Sequence, residues 1–131
     1  MLSFFSLLLV TLVVSAQCFF LHMKDYGVRI VNKKTKADTT IQIPGNTYIL
    51  DSAENQAVSI PYSCRAGSCS SCLGRIISGT VDQSSKIFLS DKQIDDGYVL
   101  TCVAYPTSDV TVEVNIEDEF YAMPENQIPG Q

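Results

Sequence analysis

The chain has 131 residues, enough for one domain with an extension, and it carries a formal net charge of −5. The charge is uneven: residues 24–36 hold five cations and one anion, whereas residues 37–131 hold four cations and thirteen anions. Because phosphate binding requires a basic face, this balance argues against nucleic acid as a partner. It favours basic protein partners, although a merely solvated acidic surface would have the same composition.

The N-terminal segment differs in composition from the rest of the chain. Residues 1–21 contain no charged side chain, and small residues follow the apolar run at 4–14. This pattern is typical of a cleaved signal-type leader, although the usual basic start is missing. An uncleaved membrane anchor and a wrongly assigned start codon are the alternatives. We predict a leader at 1–23, a folded domain at 24–123 and a C-terminal tail at 124–131, with membrane contact only if the leader is retained.

The first predicted elements of the domain are a β-hairpin and a helix. Apolar and polar residues alternate over 26–32 and again over 39–44, which predicts two strands joined by a polar turn. Residues 47–58 have a helical pattern, with Asn46 or Thr47 in place to cap its start. The apolar stripe of this helix should pack on the hairpin; its members are Ile49, Leu50, Ala53 and Ala57.

Three more strands and a short helix are predicted downstream. Residues 74–81 form a strand that ends in a glycine turn. The sequence at 90–93, Ser-Asp-Lys-Gln, is a capping-box pattern that starts a short helix, and Gly97 ends it. Strands at 98–103 and 110–116 follow. Together with the hairpin and the packed helix, these elements make a small mixed sheet with a helix across it, which is an α+β domain.

Four of the five cysteines have the spacing C-x4-C-x2-C-x29-C; they are Cys64, Cys69, Cys72 and Cys102. Thiolates placed so densely repel one another unless a cation or an Fe–S core shares their charge. Zinc fits this spacing less well, because structural zinc sites more often pair two C-x2-4-C knuckles. A disulfide framework, the alternative for a chain with a leader, leaves the clustering unexplained. Cys18 is left over and lies in the predicted leader.

The loop that carries three of these cysteines is rich in small residues, which let a backbone wrap closely around sulfur atoms and aim its N–H groups inward. Gly67 can adopt the positive φ that tight wrapping needs. The hydroxyls of Ser63, Ser68 and Ser70 are candidate hydrogen-bond donors to sulfur, or else they keep the loop soluble. Arg65 is the only charged residue of the loop, and it either offsets the negative charge of a cluster or points into solvent.

Residues 26–121 resemble the plant and cyanobacterial 2Fe-2S ferredoxins nearly from end to end. The segments that carry the resemblance are 47–51, 61–72, 78–84 and 98–109. The spacing of four residues between the first two cysteines is that of the plant type and separates it from the adrenodoxin type. The resemblance implies a β-grasp fold, a ubiquitin-like roll, with one 2Fe-2S cluster; its implied ligands are Cys64, Cys69, Cys72 and Cys102.

The same resemblance implies a function. It suggests a monomeric one-electron carrier without catalytic residues. This carrier would pass electrons in the chloroplast stroma from photosystem I to ferredoxin–NADP reductase and other ferredoxin-dependent enzymes. The leader differs from a long, Ser- and Arg-rich transit peptide and fits an alga whose plastid lies inside endomembranes. From the residues alone two other functions stay open: a separate electron-transfer subunit of a reductase or oxygenase, and a binding domain stabilised by zinc or disulfides.

The resemblance also places a partner-docking face, with Phe88 beside the cluster and four acids around it; these are Asp51, Glu54, Glu117 and Asp118. Phe88 would alternatively be an ordinary core residue. The acidic run that often follows this aromatic residue in the family is reduced here to one acid and a lysine. We therefore expect weaker electrostatic steering toward a basic reductase than a fully acidic ferredoxin would show.

Overall fold

Strands dominate the part of the chain that the structure describes, which is residues 24–127 of a computed structural model. The strands are β1 Asp25–Asn32, β2 Ala37–Pro44, β3 Leu73–Ser78, β4 Val81–Asp82, β5 Tyr98–Leu100, β6 Tyr105–Pro106 and β7 Val110–Val114. The helices are α1 Ile49–Asn55, α2 Asp91–Asp95 and α3 Glu117–Ala122, and a 3-10 helix follows at Pro124–Asn126.

The main sheet has five strands in the order β2-β1-β7-β3-β5, and a separate pair joins β4 to β6. β1 pairs antiparallel with β2 and parallel with β7, whereas β3 pairs antiparallel with both β7 and β5. The buried face of α1 packs into the core that this sheet covers. The mixed sheet with one packed helix confirms the predicted α+β, β-grasp arrangement.

The core follows from the alternation of apolar residues along the strands. On β1, Val28 and Ile30 are buried while Arg29 between them is exposed. The central strand β7 contributes Val112 and helix α1 contributes Ile49, and both side chains are fully buried in the same cluster. Each such side chain stabilises the fold by about 1.5–3 kcal/mol relative to leaving it in water.

Helix α1 is shorter than the predicted 47–58 and begins differently. Tyr48 occupies the N-cap position, and its side chain makes no capping hydrogen bond. The predicted cap by Asn46 or Thr47 is therefore wrong. Instead, the amide of Leu50 donates a hydrogen bond to the carbonyl of Thr101 at 3.0 Å. The chain segment after β5 therefore supplies a hydrogen-bond acceptor for a free amide at the start of the helix. This bond holds α1 close to Cys102.

Several elements end earlier than predicted, and three of them end within two residues of a position with positive φ. Ala57, with a φ of 58°, lies beyond the end of α1 and is exposed, so it does not join the apolar stripe. Gly79, with a φ of 86°, follows β3, and Asn115, with a φ of 62°, follows β7. The strand predicted at 98–103 stops at Leu100, so that Cys102 stands in a turn after β5.

Helix α2 begins and ends as predicted. Ser90 Oγ accepts a hydrogen bond from the amide of Gln93 at 3.3 Å, and Gln93 Oε1 accepts one from the amide of Ser90 at 3.0 Å. These reciprocal bonds are the predicted capping box. Gly97 follows the helix with a φ of 94°, the left-handed conformation of a C′ residue.

The C-terminal part of the described chain is more ordered than the sequence indicated. The sequence does not predict helix α3, because its acidic first turn carries no apolar periodicity. In the predicted loose tail, Pro124–Asn126 form the 3-10 helix, and buried Asn126 accepts a hydrogen bond from Gln93 Nε2 at 2.8 Å. The leader at 1–23 and the tail residues from 128 onward lie outside the described residues. Between residues 24 and 127, no helix is long and apolar enough to cross a membrane.

Candidate metal centre

The cysteine loop is shaped by a glycine that faces the rest of the domain. Gly67 is buried and has a φ of 72°, as predicted for a tightly wrapped loop. A Cβ at this position would lie 3.0 Å from Val103 Cγ2 and 3.2 Å from the carbonyl oxygen of Ser85. The carbonyl of Gly67 accepts hydrogen bonds from the amides of Ile87 at 2.8 Å and Phe88 at 2.9 Å. The loop is thereby fixed to the segment before α2.

Two of the cysteines are brought together by the pairing of β3 with β5. Cys72 directly precedes β3, and Cys102 follows β5 after one residue. Thr101 joins the two segments, because its hydroxyl donates a hydrogen bond to the carbonyl of Cys72 at 2.9 Å. Cys72 and Cys102 are both buried, whereas Cys69 is half-buried and Cys64 is exposed. All four are free thiols, which is at variance with a disulfide framework.

The four thiols lie close enough together to shift the pKa values of Cys64, Cys72 and Cys102. Hydrogen bonds from the amide of Ala66, at 3.4 Å, and from the thiol of Cys69 contribute to lowering the pKa of Cys64 to about 6. The thiol of Cys102 donates to Cys72 and lowers the pKa of Cys72 to about 7, and this same bond raises the pKa of Cys102. The Ala66 contact is one of the N–H···S bonds that the sequence predicted.

The four thiols are the donor set that an Fe–S core needs. In a 2Fe-2S cluster four cysteine thiolates are shared between two irons. A structural zinc ion can also take four cysteines, but such sites more often pair two separate C-x2-4-C knuckles. The donor set and its C-x4-C-x2-C-x29-C spacing therefore fit an Fe–S core.

The serines of the loop differ in their hydrogen-bond partners: one binds a cysteine sulfur and another binds side chains of α3. The hydroxyl of Ser68 hydrogen-bonds to Cys64, as the sequence suggested. The hydroxyl of Ser70 instead binds the carboxylate of Glu117 and lies 2.9 Å from the hydroxyl of Tyr121. Ser70 thus links the loop to helix α3 in place of the expected bond to sulfur. Ser63 is exposed.

Arg65 has neither of the two environments that the sequence suggested. Its guanidinium lies 2.5 Å from a carboxylate oxygen of Glu54 and 3.5 Å from one of Asp51, both on α1. It also stacks over the ring of Tyr62, with its Cζ 4.1 Å from the centroid. The hydrogen bond that Arg65 donates to Glu54 is the main reason that the pKa of Arg65 is raised. Arg65 therefore fastens the cysteine loop to helix α1.

The residues expected to dock a partner all have contacts inside the protein. Phe88 is half-buried and packs against Phe120, with ring centroids 6.1 Å apart. Asp118 forms an ion pair with Lys34 at 2.7 Å, and Glu117 accepts a hydrogen bond from Ser70. With Asp51 and Glu54 held by the loop arginine, each of the four acids already has a polar partner. None of these pairings was visible in the sequence, because they join residues far apart in the chain.

Comparison with known proteins explains this arrangement. The sequence profile of the "2Fe-2S iron-sulfur cluster binding domain" matches residues 31–107. The chain belongs to the 2Fe-2S ferredoxin family. It is similar to the heterocyst ferredoxin of Nostoc sp., with 50% identity over 95 residues that make up 72% of this chain and 96% of that protein.

This ferredoxin is also similar to a plant protein and to a protein of known crystal structure. It is 49% identical over 80 residues to the chloroplastic ferredoxin-6 of Zea mays, across 61% of this chain and 52% of that protein. The crystal structure of pectocin M2 superposes with a TM-score of 0.66 and 51% identity, over 73% of this chain and 34% of that one. This ferredoxin is therefore of the plant and cyanobacterial type, carries a single 2Fe-2S cluster, and is an electron carrier, not an enzyme.

Proposed function

We propose that this ferredoxin passes single electrons from photosystem I to ferredoxin–NADP reductase and related acceptors in the chloroplast stroma, with Cys64, Cys69, Cys72 and Cys102 as cluster ligands. The observation that carries the proposal is the 50% identity over 96% of a cyanobacterial ferredoxin, supported by identity to a chloroplastic relative. When bound, the cluster takes up and releases one electron at a low potential, about −400 mV in plant-type ferredoxins.

The burial of the four cysteines supports a direction for the electron path. Cys72 and Cys102 are anchored in the core through Thr101, so they would hold a bound cluster against the protein. Cys64 is exposed at the outer side of the loop. A partner would therefore approach a bound cluster from the side of Cys64. An electron carrier needs such an edge, whereas it needs no substrate pocket or catalytic acid and base.

The residues around the loop have positioning roles in this proposal. Gly67 lets the loop wrap, Ser68 hydrogen-bonds to Cys64, and Ser70 and Arg65 tie the loop to α3 and α1. Ser63 lies beside the exposed ligand Cys64. We place partner docking on the same side, with Phe88 and the acids Asp51, Glu54, Glu117 and Asp118. Because Asp51, Glu54 and Asp118 are paired with cations of the same chain, they would steer a basic partner less strongly than free carboxylates.

The test is light-driven reduction of NADP⁺ by thylakoid membranes that have been washed free of their own ferredoxin. The purified protein, loaded with its cluster, should restore NADP⁺ reduction when reductase is present. A Cys102→Ser variant should lack the stable cluster and fail to restore it. If the loaded protein accepts electrons from dithionite but does not restore NADP⁺ reduction, the proposed donor and acceptor are wrong although the carrier function stands.

The location and the domain boundaries are proposed together with this function. We infer that residues 1–23 are a targeting leader and that residues 24–123 form the ferredoxin domain as a monomer, with the first residues of the predicted tail, Pro124–Asn126, bound to that domain through Asn126. Mass spectrometry of the protein from its native source should find an N-terminus near residue 24 in a stromal fraction. Recovery of the full-length chain in the membrane fraction would instead identify the leader as an anchor.

A further inference from the structure

The main sheet has two edge strands, β2 and β5, and the free edge of β5 is covered by a glutamine side chain. All three residues of β5 are buried, so the backbone groups that point away from β3 need partners within the protein. Gln83 Nε2 donates a hydrogen bond to the carbonyl of Tyr98 at 2.9 Å, and Gln83 Oε1 accepts one from the amide of Leu100 at 3.1 Å. Gln83 is itself only 7% exposed. Its side-chain amide therefore takes the place of the neighbouring strand that β5 lacks.

One of the residues that Gln83 holds is also the base of the turn that carries Cys102. The carbonyl of Leu100 accepts a hydrogen bond from the amide of Val103 at 3.1 Å, which closes the turn around Cys102. The backbone of Leu100 is fixed on one side by its pairing with β3 and on the other side by Gln83. The position of the Cys102 turn therefore depends on the side-chain amide of Gln83.

The backbone that follows Gln83 leads to the cysteine loop. The carbonyl of Gln83 accepts a hydrogen bond from the amide of Lys86 at 3.0 Å, and the two amides after Lys86 both donate to the carbonyl of Gly67. The amide of Gly67 in turn hydrogen-bonds to the sulfur of Cys102. Gln83 therefore connects the two parts of the site, because its side chain holds the Cys102 turn and its backbone begins the segment that holds the cysteine loop.

The hydrogen bond from Gly67 to Cys102 relates this framework to the redox chemistry. Hydrogen bonds to the sulfurs of an Fe–S centre offset its negative charge and help to set its reduction potential. This bond joins an amide of the cysteine loop to a sulfur in the turn after β5, so its length depends on how the two segments are held together. A displacement that lengthens the bond should make the uptake of an electron less favourable.

We propose that Gln83 is a positioning residue for the redox centre: its side-chain amide sets the place of the Cys102 turn against the cysteine loop, and with it the hydrogen bond from Gly67 to Cys102. The inference rests on the proposed function, because it takes Cys102 to be a ligand of the cluster. Gln83 acts through the backbone of Leu100. Its loss should shift the midpoint potential to more negative values and change the g values of the EPR signal, because both depend on the geometry around the sulfurs.

The test compares Gln83→Met with the matched control Gln56→Met. Gln56 Nε2 donates a hydrogen bond to the carbonyl of Gln42 at 2.9 Å on β2, the other edge strand, which carries none of the four cysteines. Methionine keeps the length of the side chain but cannot donate a hydrogen bond and accepts one only weakly. In anaerobic redox titrations of the cluster-loaded proteins followed by EPR, Gln83→Met should have a more negative midpoint potential and shifted g values, whereas Gln56→Met should match the natural protein. A Gln83→Met protein with a lower melting temperature but the natural potential and g values would show that Gln83 only covers the edge, and the proposal would be wrong.

A second variant keeps the test decisive if Gln83→Met does not hold a cluster. Gln83→Glu keeps an acceptor for the amide of Leu100 but loses the donor to the carbonyl of Tyr98, and Gln56→Glu is its control with the same added charge. The g values of Gln83→Glu should shift and those of Gln56→Glu should not, and equal g values in the two variants overturn the proposal. A natural protein that binds no iron and sulfide would refute the proposed ligands together with this inference. A natural protein with the expected signal, whose g values Gln83→Glu leaves unchanged, would refute this inference alone.

Discussion

Replacement of Gly67 by alanine is the perturbation whose cost can be worked out most fully. The backbone there has a φ of 72°, a conformation that costs a residue with a Cβ about 1–2 kcal/mol. The new methyl group would also lie 3.0 Å from Val103 Cγ2 and 3.2 Å from the carbonyl oxygen of Ser85. Such overpacking adds about 1–2 kcal/mol. We expect Gly67→Ala to destabilise the cluster-bound loop by about 2–4 kcal/mol in total.

Gly97 provides the matched control for the backbone contribution. Its φ is 94°, but an added Cβ would meet nothing closer than the carbonyl oxygen of Ile76 at 3.5 Å. Gly97→Ala therefore carries strain without a clash. The assay is the rate at which the visible absorption of the cluster disappears in urea, since release of the cluster makes unfolding irreversible. Gly67→Ala should lose the cluster about tenfold faster than Gly97→Ala. Equal rates in the two variants would refute the packing argument.

Two further predictions concern ion pairs. Lys33→Met should lower the melting temperature in thermal melts, because it removes the cation whose Nζ lies 2.8 Å from Oε1 of buried Glu113. The exposed Lys36→Met is its control, and an equal effect of both changes would count against this role for Lys33. Lys34→Ala should raise the stopped-flow rate with a basic partner about two- to fivefold at low salt, because it frees Asp118. A gain that persists at high salt would argue against electrostatics as the cause.

The sequence predicted the features that depend on residues close together in the chain. Alternation placed the strands of the hairpin, and the Ser90–Gln93 pattern placed the capping box of α2. The cysteine spacing indicated an Fe–S centre in preference to zinc, and the family comparison supports it. The sequence predicted a positive φ at Gly67, because glycine adopts that conformation without steric cost.

The features that the sequence did not reveal depend on contacts between distant segments. The start of α1 is satisfied by a carbonyl from Thr101 rather than by a neighbouring side chain. Arg65 finds Glu54 eleven residues away on another element, and Ser70 finds Glu117 at a separation of 47 residues. No local pattern marks such partners. Helix α3 was missed for a related reason, since Phe120 is its one buried residue and leaves no periodic stripe to detect.

The central claim is that this chain carries one electron at low potential on a 2Fe-2S cluster. Its most direct test is an anaerobic redox titration of the purified protein, followed by EPR with the spins counted per chain. Reduction should give a rhombic signal that grows to about one spin per chain with a midpoint of about −400 mV. Protein that shows no EPR signal on reduction, or that contains one zinc ion per chain in place of iron and sulfide, would contradict it.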